Sequence, residues 1–169
     1  MSLKRLSLML LLLITLALAG CAPAAKPADI VADYYAALNA RALDRAMAFV
    51  APEAVFVNPY GRFAGAEAVR ASLEQVVADD ITFDLSNFRD SNGRVTYDYT
   101  VKIGGEAVES GTDGLTVVEN GKITLDSTES LEWLAYVNTA AFTAEAGGFS
   151  GPASVPAGWT ELSLTNNSD

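Results

Sequence analysis

The chain has 169 residues and half of them are hydrophobic, which suits one folded domain with a packed core. Its formal net charge of −10 opposes binding to a phosphate backbone, so we expect no nucleic acid partner. It has no histidine and one cysteine, which excludes a histidine-based catalytic triad, the commonest zinc sites and an internal disulfide. Neither metal-ligand spacing nor a phosphate-binding glycine loop is visible, so we expect no metal and no cofactor.

The first 20 residues have the pattern of a secretory signal peptide. Two cations, Lys4 and Arg5, precede the apolar run Leu6–Ala19, which is short for a membrane-spanning helix. The segment Leu18-Ala19-Gly20-Cys21 resembles the bacterial lipobox, and this implies cleavage before Cys21 and attachment of lipid to it. We therefore predict a bacterial lipoprotein that is anchored outside the cytoplasm to a lipid bilayer. The pattern does not distinguish the inner from the outer membrane. An uncleaved anchor and a secreted protein with a stray thiol are the alternatives.

Two helices are predicted at the start of the domain. The first begins near Ala28 or Asp29, because an acid in the first turn is favoured by the helix dipole. The second covers about Leu43–Val50 and is expected to end before Pro52. Apolar residues at helical spacing give the first helix its inward stripe. They are Ile30, Val31, Tyr34, Tyr35 and Leu38.

A short strand, a turn and a third helix complete the first half. The strand covers Ala54–Val57 and ends in the turn Asn58-Pro59-Tyr60-Gly61, since asparagine, proline and glycine all favour turn conformations. The third helix follows Gly65, and its apolar positions again recur at helical spacing. The first half of the domain is therefore mainly helical.

The second half changes to a period of two, which is typical of strands. Alternation is clear in Ile81–Leu85 and Val95–Ile103, which the turn Ser91-Asn92-Gly93 joins as a hairpin. A long strand over about Glu106–Val118 and a last one over Lys122–Leu131 follow. Helices first and antiparallel strands afterwards predict an α+β domain with three N-terminal helices packed on one face of a sheet.

This order of elements resembles a known family. The segment Tyr34–Arg70, the four following strands and the hairpin Glu119–Ile123 are similar to the nuclear transport factor 2-like superfamily, in its SnoaL-like and ketosteroid-isomerase-like branch. The similarity covers about residues 28–131. It implies a cone-shaped fold, in which a curved, mostly antiparallel sheet and the helices enclose one apolar pocket, and it implies frequent homodimers. The fold hosts isomerases, cyclases, dehydratases and non-catalytic binders, so it leaves the function open.

The resemblance also implies roles for three residues. Tyr34 corresponds to the tyrosine that donates a hydrogen bond to the substrate oxygen, and Asp113 to the aspartic acid that stays protonated and donates a second one. Asn58 falls where the isomerases have their proton-shuttling aspartate. An amide has no useful basicity near neutral pH, so the usual isomerisation lacks its base. Each residue also has a structural alternative: Tyr34 as an ordinary core tyrosine, Asp113 as a hydrogen-bonded carboxylate at the pocket rim, and Asn58 as a residue that caps a turn.

Strand alternation adds a second argument about the carboxylates. Asp113 shares a side with Leu115, so burial is expected to raise its pKa unless it is paired. Glu109 lies on the same side and is the best substitute base, whereas Asp84 and Asp98 are expected to face solvent. Aromatic residues could line the pocket or form ordinary core. They are Phe49, Phe56, Tyr60, Phe63, Tyr97 and Tyr99.

The C-terminal extension lies beyond the resemblance. A last short strand is expected at Trp159–Leu164, and the extension is either an edge strand with a loop on the outside of the sheet or a lid. A lid would point Phe142, Phe149 or Trp159 into the cone. The predicted divisions are the signal peptide at 1–20, the lipidated cysteine and short tether at 21–27, the cone domain at 28–133 and the extension at 134–169.

Three hypotheses of function follow. The first is a lipid-anchored binder of a small apolar or aromatic molecule, without chemistry. The second is an isomerase, cyclase or dehydratase of the ketosteroid-isomerase type, with Tyr34 and Asp113 as oxyanion donors and an unidentified base. The third is a protein-interaction module whose cone is filled by its own side chains. The volume of the cone separates the third from the others, and a carboxylate within reach of the ligand favours the second over the first.

Overall fold

The computed structural model describes residues 25–155 and 160–167. The predicted signal peptide, the predicted lipidation site Cys21, residues 22–24 of the predicted tether and Trp159 lie outside these residues. Within the two described segments, no helix has both the length and the apolar character needed to cross a membrane.

Three α-helices occur in the described residues, and all of them precede the third strand. They are α1 Pro27–Asn39, α2 Leu43–Met47 and α3 Ala66–Ala78. α1 opens on a proline, whose fixed φ suits the first helical position, where no N–H donor is needed. Its buried side chains include the whole predicted stripe, Ile30, Val31, Tyr34, Tyr35 and Leu38.

Six strands form the main sheet. They are β1 Val50–Asn58, β2 Gly61–Ala64, β3 Ile81–Ser91, β4 Arg94–Ile103, β5 Glu106–Glu119 and β6 Lys122–Thr128. Their order across the sheet is β2-β1-β6-β5-β4-β3. β1 and β6 run parallel, and the other neighbours run antiparallel. The prediction of an α+β fold with a mostly antiparallel sheet is confirmed.

Two boundaries in the first half differ from the prediction. The sequence predicts a second helix that reaches Val50, but Val50 pairs with Ile123 and belongs to β1. Pro52 therefore lies inside a strand, where it is tolerated because the register of β1 against β6 shifts between Val50 and Val55. β2 has no counterpart in the prediction, since a strand of 4 residues is too short to show a period.

The last strand of the main sheet ends at Thr128 rather than at Leu131. The chain continues as a 3-10 helix over Glu129–Tyr136. Arg94 of β4 holds this helix through two hydrogen bonds to the Glu132 carboxylate, at 2.6 and 2.8 Å. These hydrogen bonds lower the pKa of Glu132. This charged pair links the 3-10 helix to β4.

The hydrophobic core lies between the helices and one face of the main sheet. The sheet contributes Phe56, Val95, Tyr97 and Ile123, and α3 contributes Val69 and Leu73. Each apolar side chain of this size stabilises the fold by roughly 1.5–3 kcal/mol when it is fully buried. Packing of this face therefore sets how α1 and α3 lie on the sheet.

A bulge interrupts β5 where it passes β4. Tyr97 is opposite Gly114, but Tyr99 is opposite Gly111, so β5 has one extra residue between these pairs. Residues on the two sides of a bulge alternate in opposite phase. The glycines are required by close approach. A Cβ on Gly114 would overlap the ring of Tyr97, and one on Gly111 would lie 2.8 Å from the ring of Tyr99.

The C-terminal extension forms a second sheet. Its strands are β7 Asn138–Glu145, β8 Gly148–Ser150 and β9 Thr160–Asn166. The order is β8-β7-β9, and β7 runs parallel to β9. β9 is the counterpart of the strand predicted at Trp159–Leu164. The prediction has no counterpart of β7 and β8, whose alanines and glycine are weak strand formers.

Candidate functional site

A cavity of about 290 Å³ lies between α1, α3 and the main sheet. Much of its lining is apolar, with Leu38 from α1, Leu73 and Val76 from α3, and Phe83 and Leu85 from β3. Its volume is at the small end of the range for ligand pockets, about 300–1,000 Å³. A cone filled by its own side chains would not leave this space, which counts against the interaction-module hypothesis.

One carboxylate in the cavity wall, Asp126 of β6, accepts hydrogen bonds from three other elements. Thr116 Oγ1 of β5 donates to its Oδ1 at 2.6 Å. The Tyr35 hydroxyl of α1 lies 3.0 Å from Oδ2 and 3.2 Å from Oδ1, and the Tyr97 hydroxyl of β4 lies 3.2 Å from Oδ1. We call Asp126, Tyr35, Tyr97 and Thr116 the Asp126 cluster.

The fold positions each member of this cluster. Thr116 is the direct cross-strand partner of Asp126, which puts the two side chains on one face of the sheet. The rings of Tyr35 and Tyr97 pack edge to face, with centroids 5.9 Å apart, and their hydroxyls are 3.1 Å apart. β6 lies inside the sheet, between β1 and β5, and Asp126 is opposite the core residue Phe56, so Asp126 is on the face that packs against the helices. The cluster is therefore part of the rigid core.

Burial sets the protonation of the cluster. Desolvation raises the pKa of Asp126 from 3.8 to about 6, and hydrogen bonds from Thr116, Tyr35 and Tyr97 oppose the rise. Burial, and then the charge of Asp126, raises the pKa of Tyr35 and Tyr97 well above its usual value. The same causes act on the pKa of Tyr34. Near neutral pH the cluster thus combines a carboxylate that can take a proton with neutral hydroxyls that can donate.

Seven of the site residues predicted from the sequence line the cavity. They are Tyr34, Phe56, Asn58, Tyr60, Tyr97, Tyr99 and Glu109. Tyr34 is buried, and its ring packs edge to face on Tyr35, with centroids 4.8 Å apart, and on Phe56, with centroids 6.1 Å apart. The Oδ1 atom of Asn58 accepts the N–H of Tyr60 at 2.9 Å, which is the contact that turn capping requires.

The cavity meets solvent at the turn after β1, where Tyr60 is 86% exposed, and also along β4 and β5. Along β4 the exposed fraction rises from 2% at Tyr97 to 43% at Ile103, and Val108 of β5 is 57% exposed. All three line the cavity. Here the Tyr99 hydroxyl donates to Glu109 Oε1 at 2.9 Å. We call Tyr99, Ile103, Val108 and Glu109 the open end.

Asp113, Phe49 and Phe63 are not part of the cavity lining. Asp113 is half-buried and accepts a hydrogen bond from Ser130 Oγ at 3.2 Å. Phe49 and Phe63 pack against the core instead. Glu109 and Gly114 both line the cavity. Their residue numbers are odd and even, so strict alternation would put them on opposite faces of the strand. Because the bulge lies between them, β5 does not follow the single alternating pattern that the sequence predicts. That pattern therefore does not determine on which face Asp113 lies.

The other acids considered as bases have partners outside the cavity. Asp84 pairs with Lys102 at 2.5 Å, and Asp98 pairs with Arg89 at 3.3 Å. In the part of the chain that the structure describes, no lysine or arginine lines the cavity. The same residues contain no group of three metal-ligating side chains that could hold an ion.

Sequence reasoning missed Asp126, Thr116 and Tyr35. Asp126 alternates with the buried Leu125 and Ile123, so the period places it on the side opposite the apolar residues. One signal was available in the first helix. Tyr34 and Tyr35 both lie on its inward stripe, and two buried hydroxyls require polar partners somewhere in the core.

The sequence profile of the SnoaL-like domain matches residues 31–125. The chain belongs to the SnoaL-like domain family. The matched region of this SnoaL-like protein contains Tyr35, Tyr97 and Thr116 and ends just before Asp126. No curated protein matches the chain.

Solved structures share the fold of this SnoaL-like domain. A nuclear transport factor 2-like protein of unknown function from Cytophaga hutchinsonii has a TM-score of 0.55 at 20% identity, over 63% of this chain and 91% of its own. A candidate polyketide cyclase from Sinorhizobium meliloti has a TM-score of 0.52 at 20% identity, over 59% and 92%. A candidate ketosteroid isomerase from Kribbella flavida has a TM-score of 0.52 at 16% identity, over 59% and 73%. At these identities the likeness shows the fold alone.

Proposed function

We propose that this protein binds a compact, largely apolar molecule in its cavity, with a polar group of the ligand against the Asp126 cluster. The observation that carries the proposal is the apolar space of about 290 Å³ with a half-buried carboxylate in its wall. Apolar walls supply affinity at roughly 25 cal/mol per Å² removed from water. A few placed polar groups then fix the orientation of the ligand.

Native mass spectrometry of the full chain, purified from its own cells, tests this proposal. We expect a retained small molecule that is lost when Val76→Trp fills the cavity from α3. Glu74→Trp is the matched control, because Glu74 is exposed on the same helix and does not line the cavity. Loss of the molecule from both variants, or from neither, would place it elsewhere on the protein.

A second candidate function is an isomerase, cyclase or dehydratase, and the protonation of Asp126 favours it. A pKa of about 6 keeps the carboxylate mostly ionised at neutral pH while leaving it basic enough to take a proton from carbon. Asp126 would fill the role of base that Asn58 cannot fill. The neutral hydroxyl of Tyr34 would donate to the developing oxyanion, and the protonated Asp126 would return the proton to another carbon.

Deuterium exchange from heavy water into cyclohexanone tests this second candidate without knowledge of the substrate. We expect exchange in the wild type, a loss of about 100-fold or more in Asp126→Asn, and no change in Asp84→Asn. Asp84 is a suitable control because it is exposed and pairs with Lys102 outside the cavity. Exchange at the buffer rate in the wild type would leave binding as the function.

We further propose that lipid on Cys21 anchors the protein outside the cytoplasm. The proposal is supported by the apolar run Leu6–Ala19 and the lipobox-like Leu18–Cys21 that ends it. We expect the protein in the membrane fraction, with a diacylated N-terminal peptide in its mass spectrum. Cys21→Ser should block both the modification and the processing. An unmodified Cys21 in the membrane fraction would point to an uncleaved anchor.

A further inference from the structure

Asp126 has more acceptor positions than the protein fills. An ionised carboxylate offers about four lone-pair positions. The three hydroxyls of the Asp126 cluster have one hydrogen each, so they fill at most three of these positions, and fewer when a hydrogen goes to the contact between the Tyr35 and Tyr97 hydroxyls, 3.1 Å apart. The described residues contribute only Tyr35 to Oδ2, at 3.0 Å. Because Asp126 lines the cavity, the position left over is open to a donor that arrives with the ligand.

Among the described residues, no lysine or arginine faces this carboxylate. The titratable groups around it are Tyr34 and Tyr35 from α1 and Tyr97 from β4, and β5 adds the uncharged Thr116. Within the described residues, no lysine or arginine lines the cavity and none forms an ion pair with Asp126. A half-buried, desolvated carboxylate without a cation is costly, and a cationic ligand would relieve that cost.

Aromatic rings form much of the wall near this carboxylate. Tyr34, Tyr35, Phe56, Phe83 and Tyr97 all line the cavity. The faces of such rings attract an organic cation, and the attraction strengthens when water is excluded. An anionic ligand would meet the opposite situation, because Asp126 and Glu109 are both in the lining and no lysine or arginine of the described chain is.

We propose that the ligand is a compact ring-bearing amine, whose protonated nitrogen donates to Asp126 among the tyrosine rings of the cavity. This inference rests on the proposed function, since it names the class of molecule that the cavity binds. The amine supplies both things that the site lacks, a hydrogen-bond donor for Oδ2 and a positive charge. Neutral alcohols supply only the donor, and carboxylates supply neither.

Three probes of one size separate these classes: benzylamine, benzyl alcohol and benzoate. NMR titration of the full chain near pH 7.5 should show benzylamine binding about tenfold or more tightly than benzyl alcohol, since a hydrogen bond to a charged group is the stronger one. Benzoate should bind most weakly. Asp126→Asn should bring benzylamine to the level of benzyl alcohol, and Asp84→Asn should leave the ratio unchanged.

The inference can also be tested on the wild type alone, so it stays testable if Asp126→Asn fails to fold. Lowering the pH from about 7.5 to about 5 protonates Asp126, whereas an alkylamine keeps its proton. Benzylamine should therefore weaken several-fold, and benzyl alcohol should not. Equal binding of the alcohol and the amine, or preferred binding of benzoate, would overturn the amine while leaving a functional cavity. Binding of none of the three would overturn both the amine and the proposed function for ligands of this size.

Discussion

A tyrosine and a carboxylate meet at each end of the cavity, in opposite surroundings. At the enclosed end Tyr35 and Tyr97 bond to Asp126 under the helices, and at the open end Tyr99 bonds to Glu109 beside exposed side chains. The chemical groups are the same, but burial raises the pKa of Asp126 to about 6. The comparison shows that packing of α1 over a carboxylate, more than the type of residue, shifts its pKa toward a value suited to function.

The largest difference between the two ends should appear in the pH dependence of stability. The folded state raises the pKa of Asp126 from 3.8 to about 6, so between these values it holds a proton that the unfolded state has released. This contribution is fully present below about pH 4 and is lost as the pH rises through about 6. Its upper limit is about 3 kcal/mol, from two pKa units at about 1.4 kcal/mol each.

Urea unfolding of the wild type and Asp126→Asn near pH 4.5 and pH 7 measures this contribution. We expect the wild type to gain stability relative to the variant at the lower pH. Other acids titrate in both proteins, so their effect cancels in the difference. Glu109→Gln at the open end is measured at the same two pH values for comparison. A curve for Asp126→Asn parallel to that of the wild type would mean that the fold does not hold the proton of Asp126 in this way.

The second largest difference should come from the two glycines of β5. Gly114 lies against the buried Tyr97 and Gly111 against the half-exposed Tyr99. Gly114→Ala should destabilise the protein by about 2–3 kcal/mol, because the Tyr97 ring cannot move away, and Gly111→Ala by less than about 1 kcal/mol. Unfolding in urea measures both. Equal losses would mean that the enclosed end can repack as freely as the open end.

The sequence predicted most of the fold, but it did not single out the carboxylate on which the proposed site rests. The inward stripe of α1 and the hairpin strands were visible because long elements show their period clearly. Asp126 was hidden because the register of β6 against β5 shifts between Val117 and Val118, which puts Ile123 and Asp126 on one face of the sheet although they are three residues apart. Asp113 was placed by the family resemblance and by alternation along β5, and the bulge opposite Asp98 interrupts that alternation.

Tyr35→Phe should perturb the enclosed end through the protonation of Asp126. It removes a buried donor to the carboxylate, so the pKa of Asp126 should rise further above 6, and stability near pH 7 should fall by about 1.5–2 kcal/mol. The carboxyl carbon signal of Asp126, followed by NMR against pH, measures the pKa. Tyr35→Phe keeps the ring, so packing on Phe83 and Tyr97 is retained. An unchanged pKa would show that Thr116 and Tyr97 alone hold the charge of Asp126.

Tyr99→Phe is the matching change at the open end and should have the smallest effect. The hydrogen bond to Glu109 is exposed, and water can replace the lost partner, so we expect a loss below about 0.5 kcal/mol. The pKa of Asp126 should stay near 6, because Tyr99 is not among the groups that bond to it. The same NMR and urea measurements apply to both variants. If Tyr99→Phe moved the pKa of Asp126 as far as Tyr35→Phe does, the two ends would form one coupled network, and the open end would help to set the charge that meets the ligand.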